Sequence, residues 1–232
     1  MKPLIIIPTY NERENIARLI GELFSLYDSV EVLVVDDNSP DGTADVVQGL
    51  AQQNARVHLL RRPKKNGIGP AYLAGFKWAL ERGYDVIMEM DADFSHQPRY
   101  VSAFLEKIQD YDVVIGSRWV KGGGIANWSF GRVVLSYLAN LYSRFILGSP
   151  VWDLTGGFTC WRRSVLEGIG LDRIRSDGYC FQIEMKYRAF KKNFRVVEIP
   201  IQFPERAAGK SKISRKIVFE ALWRVWFLRA NG

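Results

Sequence analysis

The sequence predicts an α/β fold in which a mostly parallel, twisted, Rossmann-like sheet carries helices on both faces within a single domain. Three observations predict it. Short apolar runs alternate with helix-length amphipathic segments through the first half of the chain. The runs are apolar at successive residues, as parallel strands buried on both faces are. The residues that follow them are polar, and in such sheets ligands bind outside the carboxyl ends of the strands.

The runs are Leu4 to Ile7, Val32 to Val35, Val57 to Leu60, Val86 to Met90 and Val113 to Ile115. The first helix is expected to start at Asn11, with Glu14 in capping-box register and Ile16, Leu19, Ile20 and Leu23 at helical spacing. Others are expected after Asp41-Gly42-Thr43, Pro70 and Pro98. Past Gly122-Gly123-Gly124 the pattern loosens into helical stretches at about Phe130 to Leu147 and Gly178 to Phe190, with a last strand near Arg195 to Ile201. From Lys212 to Arg229, Ile213, Ile217, Val218, Leu222, Val225 and Trp226 fall in helical register beside Arg215, Lys216, Arg224 and Arg229, a pattern suited to an interfacial helix.

Composition narrows the function classes. Of 232 residues 47% are hydrophobic, enough for a continuous core, which excludes a disordered chain. The 32 Lys+Arg against 25 Asp+Glu, net +7, favour polyanionic partners: nucleotides, phospholipid surfaces or nucleic acid. Cys160 and Cys180 have neither Cys-x-x-Cys spacing nor a histidine cluster, so no disulfide framework or zinc site is expected and a reducing cytoplasm fits. Met1 to Pro8 reads as a buried strand rather than a leader, and no window approaches the roughly 18 apolar residues of a membrane span. The expectation is a soluble or peripheral protein.

The polar rim consists of Pro8-Thr9-Tyr10-Asn11-Glu12, Asp36-Asp37-Asn38-Ser39, Asp91-Ala92-Asp93 and Gly116-Ser117-Arg118. Repeated carboxylates on one rim repel unless a cation or a donor-rich ligand compensates them. In extended geometry Asp91 and Asp93 point to one side, where a divalent Mg²⁺ or Mn²⁺, which takes carboxylates together with substrate phosphates, would bridge them. A lone Asp-x-Asp is also an ordinary solvated turn, and Asp36 to Gly42 has the composition of one. In the functional alternative Asp37 accepts hydrogen bonds from a base or ribose, Asp41 or Thr43 caps the next helix, and Tyr10 stacks on a nucleobase. Arg206-Ala207-Ala208-Gly209-Lys210-Ser211-Lys212 suits a lid over phosphates. Arg132 and Ser136 lie one helical turn apart and face the same way. His96 is read as structural, and His58 as core or sheet edge.

Pro8 to Glu12, Val35 to Thr43, Gly67-Ile68-Gly69, Met90 to His96, Gly116 to Arg118, Asp153-Leu154-Thr155-Gly156-Gly157-Phe158, Gly178 to Met185 and Arg206 to Lys212 together resemble the family-2 glycosyltransferases of GT-A fold. More narrowly they resemble the dolichyl-phosphate (polyprenyl-phosphate) mannose synthases. The resemblance implies inverting transfer of mannose from GDP-mannose to a polyprenyl phosphate held in a membrane. It implies that Pro8, Tyr10, Glu12, Val35 and Asp37 hold the guanosine part, that Asp91, Ala92 and Asp93 hold the metal and diphosphate, and that Arg206 and Lys212 grip the donor phosphates. It implies that Arg118, Arg132 and Ser136 receive the lipid phosphate. Asp91, Asp93 and Arg118 form the catalytic set, with Arg118 also on the donor side. Residues 1–120 are then the nucleotide-sugar half, 121–211 the acceptor side and 212–232 the amphipathic helix. The location implied is cytoplasmic, peripheral to the cytoplasmic face of a membrane, with a separate anchoring subunit as an open partner. Many relatives append transmembrane helices, and some carry Gln where Ser95 stands.

Two rivals bracket this reading. One is a polyprenyl-phosphate glycosyltransferase using UDP-glucose, because a carboxylate rim does not itself read the base or sugar. The other is a non-catalytic nucleotide- or RNA-binding module, supported by net charge. No Gly-x-Gly-x-x-Gly follows the first strand and no Walker loop or aromatic-basic ribonucleoprotein motif occurs, so no nucleic-acid partner is expected.

Overall fold

The computed structural model describes residues 1–205 and 223–230. The strands expected in the first half form as β1 (Pro3–Thr9), β2 (Glu31–Asp36), β3 (Val57–Arg61), β4 (Val86–Glu89) and β5 (Val113–Ser117). The second half supplies β6 (Gly124–Ile125), β7 (Thr159–Arg162), β8 (Val196–Pro200) and β9 (Gln202–Phe203). Seven of them build one sheet in the order β3-β2-β1-β4-β7-β5-β8, and β6 pairs with β9 in a small parallel ribbon. All neighbours in the large sheet run parallel except β7, which is antiparallel to both β4 and β5. Strands β4 and β5 are therefore parallel to each other and end on the same rim, separated by β7.

The helices are α1 (Arg13–Leu26), α2 (Thr43–Gln53), α3 (Ile68–Glu81), α4 (Val101–Lys107), α5 (Phe130–Leu147), α6 (Arg163–Gly168) and α7 (Gly178–Lys191). Residues 223–230 are also helical. Alternating strand residues feed two cores. Leu4, Ile6, Leu33, Val35, Ile87 and Trp161 pack with Tyr72 and Phe76 of α3 and with Phe181 and Tyr187 of α7. Ile5, Ile7, Val32, Val34, Met88 and Cys160 pack with Ile16 and Leu19 of α1, Val47 of α2 and Phe104 of α4. Helices thus cover both faces, as the doubly apolar runs require. Helix α3 sits close to the sheet because Gly75 leaves room: a Cβ there would meet the Ile6 Cγ2 at 2.7 Å.

Two local details differ from the sequence reading. Helix α1 starts at Arg13, after Asn11 in the left-handed region at φ 63°, so the Asn11–Glu14 capping box does not form. The β2–α2 loop performs that task instead. Ser39 Oγ accepts from the Asn11 amide at 3.0 Å, Thr43 Oγ1 from Glu12 at 3.0 Å and Asp41 Oδ2 from Arg13 at 3.1 Å. The second difference is β7, four residues long and carrying Thr159 and Arg162, too short and too mixed to stand out as a strand.

Candidate active site

The rim after β1, β2 and β4 gathers acids in turns that are shaped by their own carboxylates. Asp36 is occupied by its loop, accepting from Thr9 Oγ1 (2.9 Å), Ser39 Oγ (2.6 Å) and the Ser39 amide (3.0 Å). Asp37, also buried, accepts from Arg62 NH1 at 2.7 Å and from the Asn66 amide at 3.3 Å. Burial raises the Asp37 carboxyl above the ordinary range, against the pull of Arg62. Tyr10 lies beneath the Lys65 ammonium, 3.7 Å from its ring centre. Glu12 accepts from Asn15 Nδ2 at 2.9 Å. Pro8 lies in β1, and the Val35 side chain is wholly in the core, leaving only its main chain for any ligand.

Strand β4 stops at Glu89, so Asp91 and Asp93 stand in a turn rather than on an extended strand. The turn is fixed from within. Asp93 Oδ1 accepts from both the amide (3.0 Å) and the hydroxyl (2.5 Å) of Ser95, and Phe94 takes φ 62°. The Asp91 amide donates to His96 Nδ1 at 2.9 Å, and the His96 ring stacks on Phe158 with centroids 4.7 Å apart. An Nδ1 that accepts a hydrogen bond belongs to a neutral imidazole with its proton on Nε2. His96 is thus a pillar of the turn, and Ser95 a hydroxyl donor within it. Ala92 is buried between the two acids.

Behind the turn, Tyr72 donates to Asp91 Oδ1 at 3.3 Å. Its phenol is pushed well above its usual range, first by burial and then by the negative field of Asp91, Glu89 and Asp93. Glu89 is fully buried and accepts from Trp161 Nε1 at 2.7 Å and from Gln182 Nε2 at 2.5 Å. Burial pushes Glu89 up to about 7. Sequence reasoning passed over Glu89, although a lone carboxylate inside the apolar run Val86 to Met90 was a visible signal.

Among the described residues no group of three or more His, Cys, Asp or Glu side chains is arranged to hold a metal ion. The Asp91 and Asp93 carboxylates offer hard oxygen atoms and no nitrogen or sulfur. That set fits Mg²⁺ or Mn²⁺ completed by phosphate and water oxygens, and does not fit structural zinc.

Across β7 from this turn, Arg118 leaves the end of β5, a strand whose axis lies about 10 Å from that of β4 by two strand spacings. The Gly122-Gly123 turn folds back over it; a Cβ on Gly123 would lie 2.5 Å from the Ser117 carbonyl. Arg118 is buried and locked. Its Nε and NH2 grip Asp153 at 2.7 and 2.6 Å, its amide donates to Asp153 Oδ2 at 3.0 Å, and NH2 also reaches Thr155 Oγ1 at 2.9 Å. Burial opposes both charges, but the pair outweighs it: Asp153 is held below and Arg118 above their ordinary values.

The turn that carries Asp153 is held by side chains from three other elements. Glu198 of β8 accepts from the amides of Trp152 (2.7 Å) and Asp153 (2.9 Å). Asn140 of α5 accepts from the Thr155 amide at 3.1 Å and donates to Thr155 Oγ1 at 3.0 Å. The buried ammonium of Lys186 in α7 donates to the carbonyls of Asp153 (3.0 Å), Leu154 (3.3 Å) and Gly156. Burial brings Lys186 down to about 8. Arg132 stands near the start of α5, 3.6 Å over the Trp128 ring and 3.9 Å from Glu205. Ser136 follows one turn later, its carbonyl accepting from Asn140 Nδ2 at 2.9 Å. Arg118 and the Arg132–Ser136 helix are thus joined through Thr155 and Asn140. Arg206 and Lys212 lie outside the described residues.

Comparisons with known proteins agree with this architecture. The family description "Glycosyl transferase family 2" matches residues 4–170. Polyprenol monophosphomannose synthase from Mycolicibacterium smegmatis is 49% identical over 99% of this chain and 88% of its own length. Undecaprenyl-phosphate mannosyltransferase from Micrococcus luteus is 47% identical over 100% of this chain and 96% of its own. Among solved structures, glucosyl-3-phosphoglycerate synthase from Mycobacterium tuberculosis, in complex with Mn²⁺, UDP and its product, aligns at TM-score 0.68 and 18% identity over 98% of this chain and 78% of that one. A mannosyltransferase from Pyrobaculum calidifontis in complex with GDP-mannose and Mn²⁺ aligns at TM-score 0.60 and 17% identity over 98% and 69%. At those identities the two structures show the fold alone.

Proposed function

Because the chain belongs to glycosyl transferase family 2 and has its GT-A fold, we propose that this glycosyltransferase moves mannose from GDP-mannose to the phosphate of a polyprenol, with inversion. One observation carries the reading. An acidic turn at Asp91 and Asp93 and a locked guanidinium at Arg118 leave the same sheet rim from β4 and β5, strands whose axes lie about 10 Å apart across β7. That spacing leaves room for a sugar between a diphosphate and an acceptor phosphate. The two relatives near half identity, both named for mannose and polyprenyl phosphate, supply the substrate class.

The chemistry needs aiming more than proton transfer. A phosphate monoester has its second pKa near ~6 and is largely anionic at neutral pH, so its oxygen attacks without a protein base. Arg118, fixed by Asp153, and Arg132 with Ser136 orient that phosphate, turning an encounter between two anions into a held geometry. Pro8, Tyr10, Glu12, the Val35 main chain and Asp37 take the guanosine part. Arg206 and Lys212 close on the donor phosphates. Asp91 and Asp93 hold Mg²⁺ or Mn²⁺, which when bound compensates the charge of the leaving diphosphate as a Lewis acid.

The acceptor's lipid implies a membrane surface. No described helix is long and apolar enough to cross a membrane. Helix α5, however, turns Asn140, Ser143 and Leu147 inward and leaves Phe130, Val134, Leu138, Leu141 and Phe145 exposed at helical spacing. Phe130 and Phe145 are each 84% exposed. Trp223, Trp226 and Phe227 are exposed as well, while Val225 and Leu228 pack into the core cluster that holds Leu147. An apolar stripe on a chain of net charge +7 suits an anionic bilayer surface, so the reading places the protein peripherally on the cytoplasmic face.

A thermal-shift titration tests the donor. GDP with Mn²⁺ should raise the melting temperature more than UDP with Mn²⁺ at equal concentration. Stabilisation by UDP alone would reject the mannose assignment in favour of a UDP-sugar donor.

A further inference from the structure

Two fully buried tyrosines of one core differ in what their hydroxyls meet. Tyr72 of α3 donates to Asp91 Oδ1 at 3.3 Å, whereas the Tyr187 hydroxyl of α7 has no hydrogen-bond partner among the described residues. Tyr72 is wholly buried and Asp91 only half-buried, so the phenol reaches the carboxylate from the core side. Its ring is fixed in that position. It lies parallel to the ring of Phe181, at 4° with centroids 6.1 Å apart, and stacks on Phe76 at 6.1 Å. Helix α3 also lies close against the start of α7: a Cβ on Gly69 would meet the Ser176 carbonyl at 2.9 Å and Phe181 Cδ2 at 3.0 Å.

The kind of donor is informative. Where acids hold the scaffold together, the fold supplies a cation: Arg118 to Asp153 at 2.6 Å, Arg195 to Asp112 at 3.0 Å and Arg188 to Glu184 at 2.8 Å. Among the described residues no lysine or arginine pairs with Asp91, and none donates a hydrogen bond to its Oδ2. A phenol, with an ordinary pKa of about 10, is neutral at pH 7 and donates a single hydrogen bond. It therefore orients a carboxylate without cancelling its charge. Carboxylates that ligate metals are themselves hydrogen-bonded by such partners, and losing one weakens metal binding by about 10–100-fold.

We propose that Tyr72 is a positioning residue for the cation: by engaging Asp91 Oδ1 from the core, its hydroxyl sets the rotation of the carboxylate and leaves Oδ2 to the metal ion. The proposal rests on the reading of Asp91 and Asp93 as the pair that holds Mg²⁺ or Mn²⁺. A rigid ring behind the ligand means that its orientation is fixed before the ion arrives.

The test is Mn²⁺ binding by the full chain with saturating GDP, followed by the electron paramagnetic resonance of free Mn²⁺, alongside metal-free melting temperatures, for the parent, Tyr72→Phe and Tyr187→Phe. Each substitution removes one buried hydroxyl from the same core. Tyr72→Phe should raise the Mn²⁺ Kd about tenfold and lower the melting temperature by no more than about 4 °C. Tyr187→Phe should leave the Kd unchanged and hold or raise the melting temperature, because the group it removes is unpaired. Equal affinity in the parent and Tyr72→Phe would overturn the proposal. The same weakening in both variants, or a larger loss of melting temperature in Tyr72→Phe, would overturn it too, since either marks a general loss of packing. A parent chain that binds no Mn²⁺ with GDP would overturn the reading of the acidic pair itself, and this proposal with it.

Discussion

The two ends of the rim, which the proposed function assigns to donor and acceptor, hold their charges in opposite ways. At the first end Asp91 and Asp93 sit in a turn fixed chiefly by neighbours within five residues, Ser95 and His96, with Tyr72 donating to Asp91 from behind. On the acceptor side Asp153 is already matched to Arg118 from 35 residues away, and its turn is held by Glu198, Asn140 and Lys186 from three more elements. On the proposed reading one end binds a cation with a diphosphate. The other is a finished clamp whose charge is compensated before any ligand arrives. The difference separates activity from stability: Asp91 and Asp93 should matter for turnover first, with a modest cost in folding through the hydrogen bonds they accept, and Asp153 should matter for folding first.

The sharpest way to break that contrast is Asp93→Ala. Turnover should fall by about three orders of magnitude, the range seen when a charge-stabilising group is lost, while the two lost Ser95 hydrogen bonds should cost only about 1–2 kcal/mol of stability. Near-normal transfer would remove Asp93 from the mechanism.

Asp153→Asn should show the reverse balance. It leaves Arg118 buried without its counter-charge, a loss of about 3–5 kcal/mol, measurable by urea unfolding. The pH dependence sharpens the point. Asp153 has a folded-state pKa below its unfolded value of about 3.9. Its contribution is therefore fully present above about pH 4 and disappears as pH falls below that value toward the folded pKa. Acid unfolding of the parent should steepen in that window, and the Asn variant should lack that component. An unchanged stability in Asp153→Asn would show that the clamp is not preformed.

Phe145→Glu tests whether the acceptor side extends to a lipid surface. It introduces a charge on a side chain that is 84% exposed, so folding should be unaffected. Binding to anionic vesicles in flotation should weaken about tenfold or more, since burying such a ring is worth about 1.5–3 kcal/mol. Equal flotation of parent and variant would discard the α5 stripe as the docking face. The smallest effect belongs to Asp41→Ala, which removes acceptors from the Arg13 and Thr43 amides and should cost about 1–2 kcal/mol. A greater effect on turnover than on stability there would move Asp41 from the scaffold to the site.

The contrast between the two ends also explains what the sequence revealed. Strands β1, β2 and β5 were legible because burial on both faces writes itself as an uninterrupted apolar run, β3 and β4 because a single polar residue, His58 or Glu89, interrupts an otherwise apolar one, and the acids because they follow those runs immediately. The Asp91 turn was legible as a cluster but not in shape, because the strand yields to the Ser95 and His96 hydrogen bonds one residue earlier than its apolar run suggests. Strand β7 escaped notice because four residues with Thr159 and Arg162 carry no periodicity. Nothing local in Arg118 announces Asp153, nor in Lys186 the carbonyls of residues 153, 154 and 156: such partners are set by the sheet order, which β7 alone completes. Helix α5 was read correctly as a helix from Phe130 to Leu147, yet which of its apolar residues face the core depends on what packs beside it, and that information lies in the tertiary structure.

The most direct test is transfer itself: radiolabelled GDP-mannose incubated with the protein and polyprenyl phosphate in vesicles, with a chelator and then with Mn²⁺ restored. The account predicts label extracted with the lipid, lost on chelation and recovered on adding the metal. Label appearing in the lipid at the same rate under chelation would contradict it.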